Sequence, residues 1–150
     1  LSFKTGKKAD GKCSVVAEDV DVMMGAKDGD IYYLTDMDEG MGDLYCNEEL
    51  IDSDVMIGTL EFTKEQKYPI YKTDYNTSKN LFTLKMFVGK NAKVIADDAF
   101  DYKVVDEKKI AVLVDYDDDD STGTLKLYRG KDKLIELDDD VICLFGGMYN

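Results

Sequence analysis

The sequence predicts an all-β protein made of short antiparallel strands that repeat along the chain. Segments rich in Val, Ile, Leu, Tyr and Phe alternate with turns rich in Gly, Asp, Asn and Lys, and no helical periodicity extends beyond two turns. Aspartates also recur at nearly constant intervals. Several predicted strands are apolar on both faces, which indicates that neighbouring sheets cover them on both sides.

The first recurring signal is an acidic pair, or near-pair, followed by an apolar run. Its anchors, at intervals of 35, 44 and 42 residues, are Val20, Val55, Ala99 and Val141. Intervals of this size are typical of repeats that contain four strands. The sequence therefore predicts one repeat domain over 1–150. Its repeats span about 20–54, 55–98 and 99–140, and 1–19 and 141–150 form a partial repeat.

A second series lies between these anchors, where an apolar strand ends in Asp-x-Asp or Asp-x-Asn. The three strings are IYYLTDMD, PIYKTDYN and IAVLVDYD, and their first aspartates are Asp36, Asp74 and Asp115. Each repeat then contains four predicted strands. The first follows the acidic pair, the second ends in this motif, the third is similar to LxLY and the fourth follows Gly-Lys. The middle repeat matches this pattern least well.

The strands IYYL, IAVLV and VICLF have no polar face. A barrel with a dry interior and a wet exterior does not require such strands, whereas small sheets stacked face to face do. The sequence therefore favours a β-propeller-like arrangement of four-stranded antiparallel meanders, with a compact β-sandwich or barrel as the alternative. A closed propeller typically has about four to eight blades. We therefore expect a partial ring, which either belongs to a longer propeller or is completed by further copies of the chain.

The same pattern predicts which apolar side chains form the core. The residues expected to be mostly buried are Val20, Ile31, Leu34, Leu44, Leu84, Ile95, Ile110, Val112, Val114, Leu125, Leu127, Val141 and Cys143. The three cysteines, Cys13, Cys46 and Cys143, are widely spaced and form no CxxC motif. Their odd number leaves at least one thiol free or paired with another chain, and packing as small hydrophobic side chains is the simpler interpretation.

The charge of the chain restricts its partners. The 150 residues carry 19 basic and 32 acidic side chains, for a net charge of −13, and Arg129 is the only arginine. Nucleic acid is therefore excluded as an expected partner, because phosphate binding needs a basic face. No apolar run reaches 18 residues, so we expect no membrane insertion by this segment. The charge suits a cationic partner or a divalent cation.

The acidic loops resemble ligand sets for calcium, which prefers about six to eight oxygen ligands. In the string VDYDDDDSTGTLKLY, three carboxylates alternate along the chain, and a shorter version of the motif occurs in the first repeat. The candidate calcium ligands are Asp115, Asp117, Asp119, Asp36 and Asp38.

The longer loop does not match an EF-hand. Counted from Asp115, the sixth and twelfth places hold Asp120 and Lys126, where an EF-hand has Gly and Glu. The alternative is that these aspartates cap turns through bonds to the backbone and keep the sheet edges from pairing with other chains. Calcium is thus the one cofactor that the sequence suggests. If the aspartates cap turns instead, the chain needs no cofactor.

Enzymatic function is not expected. The chain contains no histidine, which removes Ser-His-Asp and Cys-His catalysis and His-ligated metals. Paired carboxylates leave glycoside hydrolysis as the remaining enzymatic alternative, but the acidic residues occur in clusters that are typical of solvated loops.

The repeat pattern resembles the propeller-type repeats of extracellular regions of membrane-anchored Firmicutes proteins. The segments that carry this resemblance are 30–34, 42–45, 89–99, 110–117, 123–128 and 130–141. The resemblance implies an extracellular or cell-surface location, with membrane anchoring in the full-length protein, and implies binding rather than chemistry. We therefore expect a non-catalytic bacterial domain that recognises a protein or glycan. A structural module that assembles with copies of itself is the alternative.

Overall fold

The computed structural model describes residues 17–129 and 134–144. Strands and turns, without any helix, make up these residues, so the prediction of an all-β protein is confirmed. The described strands are β1 (Val22–Gly25), β2 (Ile31–Asp38), β3 (Met41–Cys46), β4 (Glu49–Met56), β5 (Glu61–Phe62), β6 (Pro69–Asn76), β7 (Leu81–Val88), β8 (Asn91–Asp106), β9 (Lys109–Asp117), β10 (Thr122–Arg129) and β11 (Leu134–Val141). In this part of the chain no helix is long and apolar enough to cross a membrane.

The strands form two antiparallel meanders. The first sheet contains β1 to β4 and the second contains β5 to β11, and in both sheets each strand pairs with its neighbours in sequence. Neither sheet closes on itself within the described residues, so a barrel is the wrong alternative for this part of the chain. The first sheet is the four-stranded meander that the sequence predicts for the first repeat.

The second sheet differs from the expected separate units, because one strand belongs to two repeats. The strand β8 runs for 16 residues. Its first half pairs with β7 and its second half with β9, and Ala99 pairs on both sides, with Phe82 and Val114. The expected boundary between residues 98 and 99 therefore lies within a strand. The chain changes direction there without breaking the ladder because Asp98 adopts a positive φ of 47°.

Aspartates with positive φ mark both series of the sequence. In the first series each lies directly before an anchor residue, at Asp19, Asp54, Asp98 and Asp140, with φ between 47° and 56°. In the second series they are Asp36, Asp74 and Asp115, with φ between 52° and 55°. Asp and Asn enter this left-handed region at less cost than other residues that have a side chain beyond Cβ. The repeat visible in the sequence is therefore a repeat of backbone corners.

The irregularities in strand pairing recur in the same places. The pairs Gly42–Val55, Phe82–Ala99 and Gly123–Val141 each join the third strand of a predicted repeat to the residue after a left-handed aspartate. A shift of register follows each pair on the third strand. Such bulges bend a strand and increase its twist, so the same local geometry occurs at each of these corners.

Two apolar clusters hold the described residues together. The first cluster joins the two sheets and contains the buried residues Tyr32, Leu34, Leu44, Val55, Leu60 and Tyr71. The second joins the two halves of the seven-stranded sheet and contains Ile70, Phe82, Leu84, Met86, Ile95, Ala96, Ala99, Ile110, Val112, Val114 and Tyr128. The core therefore lies between three groups of described strands, which we call layers: the first sheet and the two halves of the second sheet.

Most of the predicted core is confirmed. Eight of the thirteen residues are buried: Leu34, Leu44, Leu84, Ile95, Ile110, Val112, Val114 and Leu127. Ile31, Leu125, Val141 and Cys143 are half-buried. The predicted burial of Val20 is wrong, since this residue is 39% exposed in the irregular segment before β1.

The prediction that three strands are covered on both faces is confirmed for two of them. Tyr32 and Tyr33 are both buried although they point to opposite faces of β2. Val112 and Leu113 are likewise both buried in β9. For the third segment, VICLF, the prediction is wrong, because β11 ends at Val141 and the next residue, Ile142, is exposed.

Replacing Val112 by Asp should prevent folding, because a carboxylate without a partner would enter the second apolar cluster, where Val112 is fully buried. Val94→Asp is the matched control, since Val94 lies in β8 and is 49% exposed. Circular dichroism and urea unfolding of both variants measure the difference. A Val112→Asp variant that melts as the unsubstituted protein does would refute burial between layers.

Candidate functional site

The predicted acidic motifs lie at one end of the sheets, which we call the acidic end. It comprises the turns after β2, β6 and β9 together with the corners at Asp54 and Asp98. The strand pairing explains this placement, because Val55 and Ala99 lie opposite the second residues of the strands that follow two of these turns. Carboxylates separated by some 40 residues in sequence thus occupy the same end of successive layers.

In the longest acidic loop the carboxylates bind protein groups. The Asp115 Oδ2 atom accepts a hydrogen bond from Lys126 Nζ at 2.9 Å. The Asp117 Oδ1 atom accepts one from the Asp119 backbone N–H at 2.8 Å, which is the turn-capping arrangement. The side chain of Asp119 lies on the exposed tip of this loop.

The corresponding residues of the first repeat are also exposed. Asp36 occupies the left-handed corner, and Asp38 pairs with Met41 across the following turn. Within residues 17–129 and 134–144, no group of three carboxylate or thiol side chains is placed to hold a metal ion. The structure therefore brings the five candidate ligands to one end of the molecule without assembling them into one centre, and calcium binding stays a prediction.

Aromatic side chains accompany the carboxylates at the acidic end. The rings of Phe100 and Tyr116 stack with centroids 3.6 Å apart and an angle of 2° between their planes. Both residues follow corners, since Phe100 comes two residues after Asp98 and Tyr116 directly follows Asp115. Tyr75 follows Asp74 in the same way, and its hydroxyl group donates to the Asn80 side chain. The sequence gives no sign that these half-buried rings share one end with the acidic loops, because pairing across strands brings them there.

A cleft opens at the opposite end, between the turn after β3 and the turn after β7. It has a volume of about 460 Å³. Its walls include the apolar side chains of Ile51 and Phe87 and the charged side chains of Glu48, Glu49 and Lys90. The sequence does not reveal this cleft, because turns from two different predicted repeats form it.

Cys46 lines the cleft. Burial raises the pKa of the Cys46 thiol, and nearby carboxylates such as Asp30 raise it further. A thiol with a raised pKa is a poor nucleophile near neutral pH. Neither Cys46 nor Cys143 forms a disulfide, and Cys13 lies outside the described residues.

Polar contacts also lie between the layers. Asp52 of the first sheet accepts hydrogen bonds from the Tyr71 hydroxyl at 3.1 Å and from Lys85 Nζ at 3.0 Å. In the second sheet the Lys72 ammonium lies 3.8 Å from the ring centroid of Phe82 and 5.4 Å from that of Tyr102. Burial lowers the pKa of Lys72. These contacts satisfy polar groups at the junctions between layers.

Comparisons with known proteins give no relative for this chain, since no family model, curated protein or solved structure matches it. The resemblance to surface proteins of Firmicutes therefore rests on the sequence motifs alone.

Millimolar Ca²⁺ should leave the melting temperature unchanged once ionic strength is matched with NaCl. The reason is that Lys126 binds Asp115 and the backbone of the loop binds Asp117. A ligand that binds only the native state raises its stability, by about 1 kcal/mol when the ligand is at roughly five times its Kd. A saturable rise in melting temperature that Asp115→Asn together with Asp117→Asn abolishes would contradict this expectation and establish a calcium site.

Proposed function

We propose that this chain is a propeller-like repeat domain that binds a partner without catalysing a reaction, on the outside of a bacterial cell. The observation that carries the proposal is the acidic end, where carboxylates from successive layers share one end of the sheets with half-buried aromatic rings. The resemblance to repeats of membrane-anchored Firmicutes proteins supports the location. The recurrence of left-handed aspartates at intervals of 35 to 44 residues supports the repeat architecture.

A cationic protein surface is the partner that best complements the acidic end. The end of β9 and the turn that follows it carry four consecutive aspartates, from Asp117 to Asp120. Complementary charge accelerates association and selects against acidic partners. The stack of Phe100 on Tyr116 adds an apolar surface beside these charges, and aromatic side chains are frequent at protein interfaces.

A glycan is the second candidate ligand, and the same aromatic stack is the observation that favours it. Aromatic faces pack against apolar surfaces of ligands, and the neighbouring carboxylates accept hydrogen bonds from hydroxyl groups. Binding is preferred to glycoside hydrolysis because a glycosidase needs a carboxylic acid whose pKa is raised in a partly dry site. The side chains of Asp115, Asp117 and Asp119 are exposed to water.

Asp117→Asn, Asp118→Asn and Asp119→Asn in one variant should weaken binding of a dodecalysine peptide by about tenfold. Each exposed ion pair contributes roughly 0.2–1 kcal/mol, and three are removed. Biolayer interferometry at 150 mM NaCl measures the affinity, and a glycan array screened with the same two proteins tests the second ligand class. Asparagine retains the turn-capping oxygen, so the variant should melt as the unsubstituted protein does.

The matched control removes three acidic charges at the opposite end. Glu48→Gln, Glu49→Gln and Glu65→Gln change the net charge by the same amount, and all three residues are exposed. This control should bind the peptide with an affinity within about twofold of the unsubstituted protein. Equal weakening in the two triple variants would mean that net charge alone attracts the peptide, and the acidic end would lose its assigned role.

A further inference from the structure

The cleft near Cys46, between the first and second layers, has a counterpart between the second and third layers. At the same end of the sheets, a gap of about 120 Å³ separates those two layers. The residues that line the two gaps include five corresponding pairs, counted from the aspartate corners and from the second residue of the third strand in each repeat. These pairs are Asp30 and Tyr68, Cys46 and Met86, Glu48 and Val88, Glu49 and Lys93, and Phe87 and Tyr128. The two gaps are therefore two versions of one junction between layers.

Side-chain size explains why the first gap is the larger one. Met86 lines the second gap and is 5% exposed, whereas the shorter side chain of Cys46 stands at the corresponding position of the first gap. Asp30 likewise takes the place of the aromatic ring of Tyr68. The resulting cleft of about 460 Å³ is as large as many pockets that bind small molecules.

The same differences change the charge of the lining. The first gap has the carboxylates of Asp30, Glu48 and Glu49, whereas the corresponding residues of the second gap include one lysine, Lys93, and no carboxylate. Lys90 also lines the cleft, so three negative charges and one positive charge leave a net charge of −2. The cleft therefore attracts a cation and repels an anion.

The negative potential reaches the inner wall of the cleft. Burial raises the pKa of the Cys46 thiol most, and the charges of Asp30, Asp28 and Glu49 raise it further. The same wall is partly apolar, because the half-buried side chains of Ile51 and Phe87 pack against the first apolar cluster. A ligand that suits this wall combines a positive charge with an apolar body.

Asp30 is held in position before any ligand arrives. Its Oδ1 atom accepts a hydrogen bond from Asn47 Nδ2 at 3.0 Å. Asn47 is fixed in turn by Ile31, whose backbone N–H donates to Asn47 Oδ1 at 3.1 Å and whose carbonyl oxygen accepts from the Asn47 backbone N–H at 2.7 Å. No described residue donates a hydrogen bond to Asp30 Oδ2, so this oxygen is available to a donor from outside.

We propose that the cleft near Cys46 binds a small organic cation, in which a primary ammonium group is attached to an apolar body. The ammonium group donates a hydrogen bond to Asp30, and the apolar body packs against Ile51 and Phe87. Glu48 and Glu49 are exposed at the rim and attract the cation from solution. The site lies at the opposite end of the sheets from the acidic end, and it does not rest on the function proposed there.

Isothermal titration calorimetry with phenethylammonium chloride, at matched ionic strength, tests the ligand class. Phenethyl alcohol lacks the charge, and methylammonium lacks the apolar body. The protein should bind phenethylammonium at least tenfold more tightly than either compound, because the cleft supplies both a carboxylate and apolar walls. Equal binding of phenethyl alcohol or of methylammonium would overturn the ligand class. A phenethylammonium dissociation constant weaker than about 10 mM would overturn the site.

Two substitutions of Cys46 test the location of the ligand. Cys46→Met introduces the side chain that narrows the second gap, so it should abolish binding of phenethylammonium without lowering the melting temperature. Cys46→Ser keeps the size of the side chain and should bind the probe within about twofold of the unsubstituted protein. A folded Cys46→Met variant that binds as the unsubstituted protein does would overturn the placement in the cleft.

Asp30→Asn tests the charge separately and retains the oxygen that accepts from Asn47. It should weaken binding of phenethylammonium about tenfold, because a hydrogen bond between two charged groups is lost. The matched control is the acidic-end variant in which Asp117, Asp118 and Asp119 are replaced by Asn. It loses three carboxylates but should bind the probe within about twofold. Equal weakening in both variants would mean that net charge alone attracts the probe, and the cleft would lose its assigned role.

Discussion

The left-handed aspartates are the constraint on which the rest of the structure depends. Those that lie within strands turn the backbone while the strand continues to pair, as Asp98 does within the 16 residues of β8. In a regular extended strand, side chains alternate strictly between the two faces of the sheet. The corner shifts that alternation and directs the following residue, such as Val55 or Ala99, into the apolar cluster between layers. Positive φ and layer packing are thus two results of one local conformation.

The middle repeat keeps the same corners with different side chains. The second residue of its third strand is Phe82, where the other two layers have Gly42 and Gly123. A Cβ atom on either glycine would lie 2.8 Å from a backbone carbonyl oxygen of the neighbouring strand. The residue paired with this position is Ala99 in the middle layer and valine in the others, so a smaller partner accompanies the larger ring. Lys72 replaces the buried leucine that precedes the other second-series corners by two residues, and its ammonium group packs over the Phe82 ring.

Features that are local in the chain could be predicted from the sequence, and features that depend on distant contacts could not. The two aspartate series identify corners because Asp occupies the left-handed region at less cost than most residues and the same short motif recurs at each corner. Two-faced burial of β2 and β9 follows from the apolar composition of each strand. The sequence does not predict that β8 belongs to two repeats, because an aspartate such as Asp98 is compatible both with a turn and with a continued strand. The cleft near Cys46 and the meeting of Phe100 with Tyr116 depend on pairing between segments, so no single segment reveals them.

Comparing glycine with alanine at the corners tests the central claim most directly. At Asp74 and Asp115 both substitutions remove the side chain, and they differ in the cost of a positive φ. If the corners are left-handed, the glycine variants should be more stable than the alanine variants by roughly 1–2 kcal/mol in urea unfolding. At Asp43, which lies within β3 and outside the corners, alanine should be the more stable by roughly 0.5–1 kcal/mol. Alanine equal to or better than glycine at both corners would contradict the account.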